Sequence, residues 1–279
     1  MYRAAGMPWI PPELREDGSE LAAALDDELP ALLEPGDIRG DLQMHTEWSD
    51  GNTTIARMAA ACRKRGYEYL AITDHSGSLT IAGGLTPDEL EEQWREIDAV
   101  RAGEPGIALL RSMEVDILPD GTLDLPDAHL AALDCVLVAV HVQQKLSRAE
   151  QTRRILRAIE HPAVDILGHP TGKRGRRPSY DVDLDAVLRR CAELDVAVEL
   201  DCSPDRSDLS AENVRRALDL GCTIVIDTDA HSQGELDHMG YGVSQARRAW
   251  TETGRVLNAR GWPAFRRWLG RRGRRVSLA

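Results

Sequence analysis

The chain has 279 residues, 42% of them hydrophobic and 29% charged, with a formal charge of −12. This is the composition of one large globular domain or two small ones, and it excludes a mainly disordered chain. No run approaches the roughly 20 apolar residues of a membrane helix, and residues 1–17 lack a signal-type apolar stretch, so the expected setting is cytoplasmic with no membrane partner.

Charge and cysteine add constraints. Residues 255–279 carry eight Arg and no acid, which leaves −20 on the remainder. Such an end reads either as a solvated Arg-rich tail or as a contact to a phosphate backbone. The five Cys include no CxxC pair, which argues against a disulfide framework or a paired-Cys zinc site.

In chain order, residues 1–36 are rich in Pro and acid and predict an extended arm with a short helix. The main domain is expected over 37–254, and 255–279 form a basic C-terminal helix and tail. Apolar runs predict strands at 38–44, 68–73, 107–115, 135–140, 163–167, 196–200 and 223–226. Several are rich in Val, Ile and Leu without polar alternation, as parallel strands buried on both faces require. Helical patterns lie between them at 54–65, 87–102, 148–159, 184–193 and 211–220. Seven strands alternating with helices predict a closed or nearly closed α/β barrel, with a doubly wound open sheet as the alternative.

Metal-ligating residue types stand just past these strands. Gln43, His45 and Asp50 follow the first, and His75 the second. Glu114 ends the third, His141 and His169 follow the fourth and fifth, and Asp229 and His231 follow the seventh. The carboxyl ends of parallel strands share one face, so these groups converge. Five of the eight His fall there, which packing alone does not explain. Without a metal the cluster would be costly, because like charges repel and buried polar groups need partners. Mixed N/O ligation favours Zn, Mn or Fe over Ca or Mg. There is no HExxH, GxSxG or phosphate loop ending in GK[ST]. His129, His161 and His238 read as surface or capping residues.

The ordered series "GDLQMHTEWSDG", "ITDHS", "MEVDILPDG", "VHV", "GHPTG" and "DTDAH" resembles the motifs of PHP (polymerase and histidinol phosphatase) domains. The wording resembles in particular the C-terminal PHP domain of bacterial family X DNA polymerases, which "PWIPPELRE", "DIRGDL", "ARRAW" and "VLN" support. The resemblance spans about residues 8–270, and 279 residues leave no room for the polymerase half. It implies a distorted seven-stranded (β/α) barrel, TIM-like, with a site for three divalent ions at the carboxyl ends of the strands. By motif position, Gln43, His45, Glu114 and Asp229 would hold the first ion. Glu114 would bridge to a second held also by His141 and His169, and Asp50, His75 and His231 would hold the third. One position departs from the family pattern: Gln43 stands where the motif has His, and an amide oxygen is the weaker donor.

The implied activity is phosphoester hydrolysis by a metal-bound hydroxide, with Glu114, Asp229 and His231 as the catalytic residues. Lys173, Arg174, Arg176 and Arg177 follow His169, and Arg206 follows the sixth strand; of these, Lys173, Arg174, Arg177 and Arg206 are the expected phosphate contacts. A 3′-5′ exonuclease or 3′-end phosphatase acting on DNA fits the subgroup and the basic tail. A small-molecule phosphomonoesterase, for histidinol phosphate or nucleotides, fits the −20 body. A catalytically weakened structural or partner-binding module is the alternative of another class.

Overall fold

The structure, a computed structural model, describes residues 2, 6–103 and 106–272. Residues 273–279, which include Arg274 and Arg275 of the basic tail, lie outside the described residues. Seven strands form one sheet: β1 (Gly40–Asp41), β2 (Tyr69–Ile72), β3 (Ala108–Asp116), β4 (Cys135–Ala139), β5 (Ile166–Leu167), β6 (Ala197–Asp201) and β7 (Ile224–Asp227). Their spatial order is β1 to β7 and every adjacent pair is parallel. A doubly wound sheet would reverse its order at a switch point. The observed order is that of a nearly closed barrel.

Each strand leads into a helix: α2 (Ile55–Lys64), α3 (Pro87–Gly103), α4 (Asp127–Ala132), α5 (Arg148–Ile159), α6 (Leu184–Leu194), α7 (Ala211–Asp219) and α8 (Met239–Arg248). Helix α1 (Ser19–Leu25) precedes the barrel, and α9 (Trp262–Leu269) follows it. No helix among the described residues is long and apolar enough to cross a membrane. The start of α5 is fixed by a capping box between Ser147 and Glu150, a signal legible in the sequence. Helix α8 was not among the expected helices, since Gly240 and Gly242 lower its intrinsic propensity. It is kept by packing: a Cβ at residue 242 would collide with Cys202 Sγ and Ile226.

The regular part of β1 is far shorter than the predicted 38–44, because side chains replace its ladder on the β7 side. Asp227 Oδ1 accepts the Leu42 N–H at 2.8 Å, while Asp41 accepts the Thr228 N–H at 3.2 Å and its hydroxyl at 2.5 Å. Below them, Asn258 bridges the seam. Its Nδ2 donates to Gly40 O (2.9 Å) and Ile226 O (2.6 Å), and its Oδ1 accepts from Ile226 N (3.1 Å). Above, His45 N donates to Ala230 O at 2.8 Å. Asn258→Ala leaves buried backbone groups on both edge strands unpaired, and should lower the unfolding free energy by about 2–3 kcal/mol, read from urea denaturation.

The interior is layered. Leu42, Tyr69, Ala71, Leu110, Leu137, Ile166, Ala197 and Val225 fill the lower barrel, closed from beneath by Phe265, Trp268 and Leu269 of α9. Phe265 stacks on Tyr69 with ring centroids 4.4 Å apart. The basic C-terminal segment therefore holds the floor of the barrel, and Arg271 pairs with Asp165 and Asp195. Truncation at Arg266 would remove core residues, so a test of tail charge must leave 255–272 intact. The N-terminal arm packs Ile10, Leu14 and Ala24 into a small cluster of its own, and Arg247 of α8 ties it down through Glu13 and Glu34.

Candidate metal centre

Above the apolar floor lies a layer of buried acids, Asp41, Glu199, Asp201 and Asp227. Above that, at the carboxyl ends of the strands, the structure brings together all nine side chains singled out as ligands. Glu114 is the hub. Its Oε1 lies 2.7 Å from His169 Nε2 and 3.2 Å from His141 Nε2, and its Oε2 lies 3.1 Å from His75 Nδ1 and 3.5 Å from His45 Nε2. Asp229 Oδ1 sits 2.9 Å from His45 Nε2. Asp50 faces His231 Nε2 at 3.4 Å, His75 Nε2 at 3.6 Å and His45 Nδ1 at 3.8 Å. Gln43 Nε2 reaches Asp229 Oδ1 at 3.4 Å. The His45 ring is sandwiched between His75 and His231, each centroid 4.4 Å away.

Three overlapping groups have atoms close enough to share an ion: His45, Asp50, His75 and His231; His75, Glu114 and His141; and His45, Glu114 and Asp229. These atoms do not satisfy one another: Gln43 Oε1, Glu114 Oε2, His141 Nε2 and His75 Nδ1 are buried without a hydrogen-bond partner. Buried polar atoms are nearly always paired. Atoms in contact but misaligned for hydrogen bonds suit donors aimed at shared cations. Asp50 and His231, with side chains 35% and 24% exposed, mark the open side.

The charges agree. Burial raises the Glu114 carboxyl, but His141 and His75 beside it outweigh this and hold it well below the usual range. Burial likewise opposes ionisation of Asp229, and Arg206 and His45 overcome it. Burial disfavours the charged form of His141, but Glu114 and Asp116 raise it to about 9, while burial and Arg206 lower His169 to about 4. The acids beneath respond differently. Burial drives Glu199, Asp201 and Asp227 well above the usual range.

Several supporting residues escaped the sequence reading. Asp116 Oδ1 accepts from His141 N and pairs with its Nδ1, both at 3.0 Å, turning Nε2 toward Glu114. Such a carboxylate partner orients a ligand imidazole. Asp74 gathers the loop after β1 by accepting from Thr46 N (2.7 Å), Thr46 Oγ1 (2.6 Å) and Ser49 Oγ (2.5 Å). Gly51 packs so tightly on the His45 carbonyl that no Cβ fits, which folds this loop back and places Asp50. Glu199 Oε2 accepts from His169 N at 2.6 Å. His169 and Asp229 both adopt positive φ, +23° and +50°, a conformation uncommon away from glycine that recurs at functional sites.

A cavity of about 350 Å³ opens beside the cluster, lined by Arg174, Ser203, Asp205, Asp229, His231 and His238 among others. His238, read from sequence as a surface or capping residue, thus belongs to the wall of the site. Arg174 is on that wall as well. Lys173, Arg176 and Arg177 lie exposed on the same turn, and Arg206 is buried, 4% exposed.

The PHP domain family matches residues 41–188, over half of the chain. The chain belongs to the PHP family. Among PHP relatives, it is 45% identical over 93% of its length to the DNA polymerase/3′-5′ exonuclease PolX of Bacillus subtilis (strain 168), and it spans only 45% of that protein. It is 27% identical over 74% of its length to a probable phosphatase of Thermoanaerobacter sp. (strain X514), covering 84% of that protein. In fold it is similar to the histidinol phosphate phosphatase of Lactococcus lactis, solved with Zn, L-histidinol and phosphate. The TM-score is 0.52 at 17% identity, covering 75% of this chain and 93% of that one.

Proposed function

We propose that the chain is a metal-dependent phosphoesterase whose nine converging side chains hold up to three divalent ions of Zn, Mn or Fe. The observation that carries this reading is the set of buried, unpartnered N and O atoms around Glu114 at the open end of the barrel. Ions bound there would supply Lewis acidity and acidify water toward neutrality. The residues do the rest. Glu114 offers one oxygen to each side of the cluster, Asp116 keeps the His141 ring turned toward it, and Glu199 holds the backbone at His169. Arg174 and His238 give the cavity wall a cation and an imidazole for substrate oxygens. Glu114, Asp229 and His231 are the catalytic assignments, and Lys173, Arg174 and Arg177 the phosphate contacts; Arg206, expected among these contacts from its place after the sixth strand, is buried and paired with Asp201 and Asp229 instead.

For the substrate we favour a 3′-5′ exonuclease or 3′-end phosphatase activity on DNA, on the strength of the 45% identity to PolX. A small phosphomonoester is the second reading, favoured by the probable phosphatase relative and by the −20 body. The test is to strip the protein with chelator and assay nitrophenyl phosphate, histidinol phosphate and 3′-recessed DNA with and without Mn²⁺ or Zn²⁺. We expect no turnover of any substrate without ions, and restored turnover, highest on DNA, with them. Full activity after stripping would refute the metal reading, and activity on monoesters alone would refute the DNA reading.

Position 43 gives a further prediction. Gln43 is fully buried, with its Oε1 unpartnered and its Nε2 on Asp229. Gln43→His replaces an amide by the stronger imidazole donor beside His45 and Asp229. We expect about tenfold tighter binding of the ion at that position, measured by metal titration at limiting ion. Unchanged occupancy would remove residue 43 from the ligand set.

A further inference from the structure

Arg206, in the loop after β6, is almost wholly buried. Its Nε lies 3.0 Å from Asp201 Oδ2 and 3.1 Å from Asp229 Oδ2. Asp229 turns its other oxygen, Oδ1, to His45 and Gln43. The guanidinium therefore holds one edge of the carboxylate, and the group formed by His45, Glu114 and Asp229 takes the other. The remaining ligand carboxylates differ. Among the described residues, the ion pairs of Asp50 and Glu114 are all with histidines. An imidazole can lose its proton to make way for a metal, whereas a guanidinium keeps its charge.

We infer that Arg206 is a fixed cation built into the centre, and that it weakens divalent-ion binding at the His45–Glu114–Asp229 position relative to the other two. The inference rests on the metal-centre reading and adds to it which ion exchanges. Two effects act together at this position. A permanent positive charge on the far side of Asp229 repels an arriving dication and already compensates the carboxylate. Gln43 contributes a neutral amide where an imidazole would donate more strongly. The same guanidinium holds Asp229 in place from its far edge when no ion is there, so the position can empty and refill without collapse of the β7 end. The centre then holds two ions tightly, and the third to bind, the one at His45–Glu114–Asp229, exchanges with solution. Asp229 lines the cavity that Arg174 and His238 also line, which gives that ion its way in.

The test is a binding measurement. Chelator-stripped protein is titrated with Mn²⁺, and free ion is followed by electron paramagnetic resonance, for the wild type, Arg206→Gln and Arg206→Lys. The wild type should show two tight ions and one weaker by about tenfold or more. Arg206→Gln should tighten the weak ion by about tenfold or more and leave the other two unchanged. Arg206→Lys, which keeps the charge, should leave the third ion weak. Circular dichroism reports whether each variant is folded. If Arg206→Gln does not fold, Arg206→Lys decides, because a tightened third ion in that variant would overturn the inference. Three ions of equal affinity in the wild type, or a folded Arg206→Gln that binds the third no more tightly, would also overturn it while leaving the metal centre standing. A wild type that binds no ion overturns both.

Discussion

Glu114→Gln is expected to lower turnover on the order of a thousandfold, and to strip more than one ion from the centre. The substitution keeps the side-chain volume and removes one charge, so the fold has little reason to object. The charge is what four imidazoles share: those of His45, His75, His141 and His169 all lie within 3.5 Å of the two carboxylate oxygens. An amide offers one acceptor oxygen in place of two and turns a donor toward nitrogens that must themselves donate to a metal. Two of the three ligand groups contain this residue, so both should lose affinity together. The group of His45, Asp50, His75 and His231 does not contain it and should keep its ion. Metal analysis after gel filtration would count the loss, and a steady-state assay with saturating Mn²⁺ would measure the rate. Near-normal metal content with normal turnover would remove Glu114 from the hub.

The convergence of these side chains was legible because most of them interrupt or end an apolar run: "ITDHS" after β2, "VAVHV" through β4, "DTDAH" after β7. A strand pattern fixes where such a run stops, and parallel strands put all the stops on one face. Helix α5 was legible through its apolar pattern over 148–159, and Ser147 with Glu150 marks its start, a local signal. Other features were hidden because their partners are remote in sequence. Asp227 and Asp41 were not singled out, yet they replace the missing ladder between β1 and β7, 186 positions apart. Glu199 and Asp201, in "VAVELD", were not singled out either, yet they lie buried beneath the centre. Arg206 was visible as a cation after β6, but its two carboxylates come from β6 and the end of β7. His238 sits seven residues beyond His231, and only the turn before α8 brings it to the cavity wall.

Arg154→Met is expected to lower the unfolding free energy by about 3 kcal/mol and to weaken ion binding at the His141 position. Arg154 belongs to α5 and is 1% exposed, so its guanidinium must find partners inside. It finds backbone carbonyls: Ile117 O and Leu118 O on the loop after β3, Val142 O and Gln143 O on the loop after β4. These two loops follow directly on Glu114 with Asp116 and on His141. Asp116 in turn fixes the His141 ring, so one buried cation ties the helix layer to two adjacent strand ends of the candidate centre. Met fills much of the same volume but leaves those carbonyls without their donor, and unsatisfied buried acceptors are costly. Arg157, three residues on along α5, donates to the exposed Asp120 carbonyl at 3.0 Å. Arg157→Met should cost less than about 0.5 kcal/mol, as surface substitutions usually do. Urea denaturation of both variants gives the stability difference, and metal titration gives the affinity. If Arg154→Met loses stability but binds ions as the wild type does, the residue holds the barrel together without positioning His141. Loss of both, with Arg157→Met normal in both, would place the accuracy of the centre in the helix layer as well as in the strands that carry the ligands.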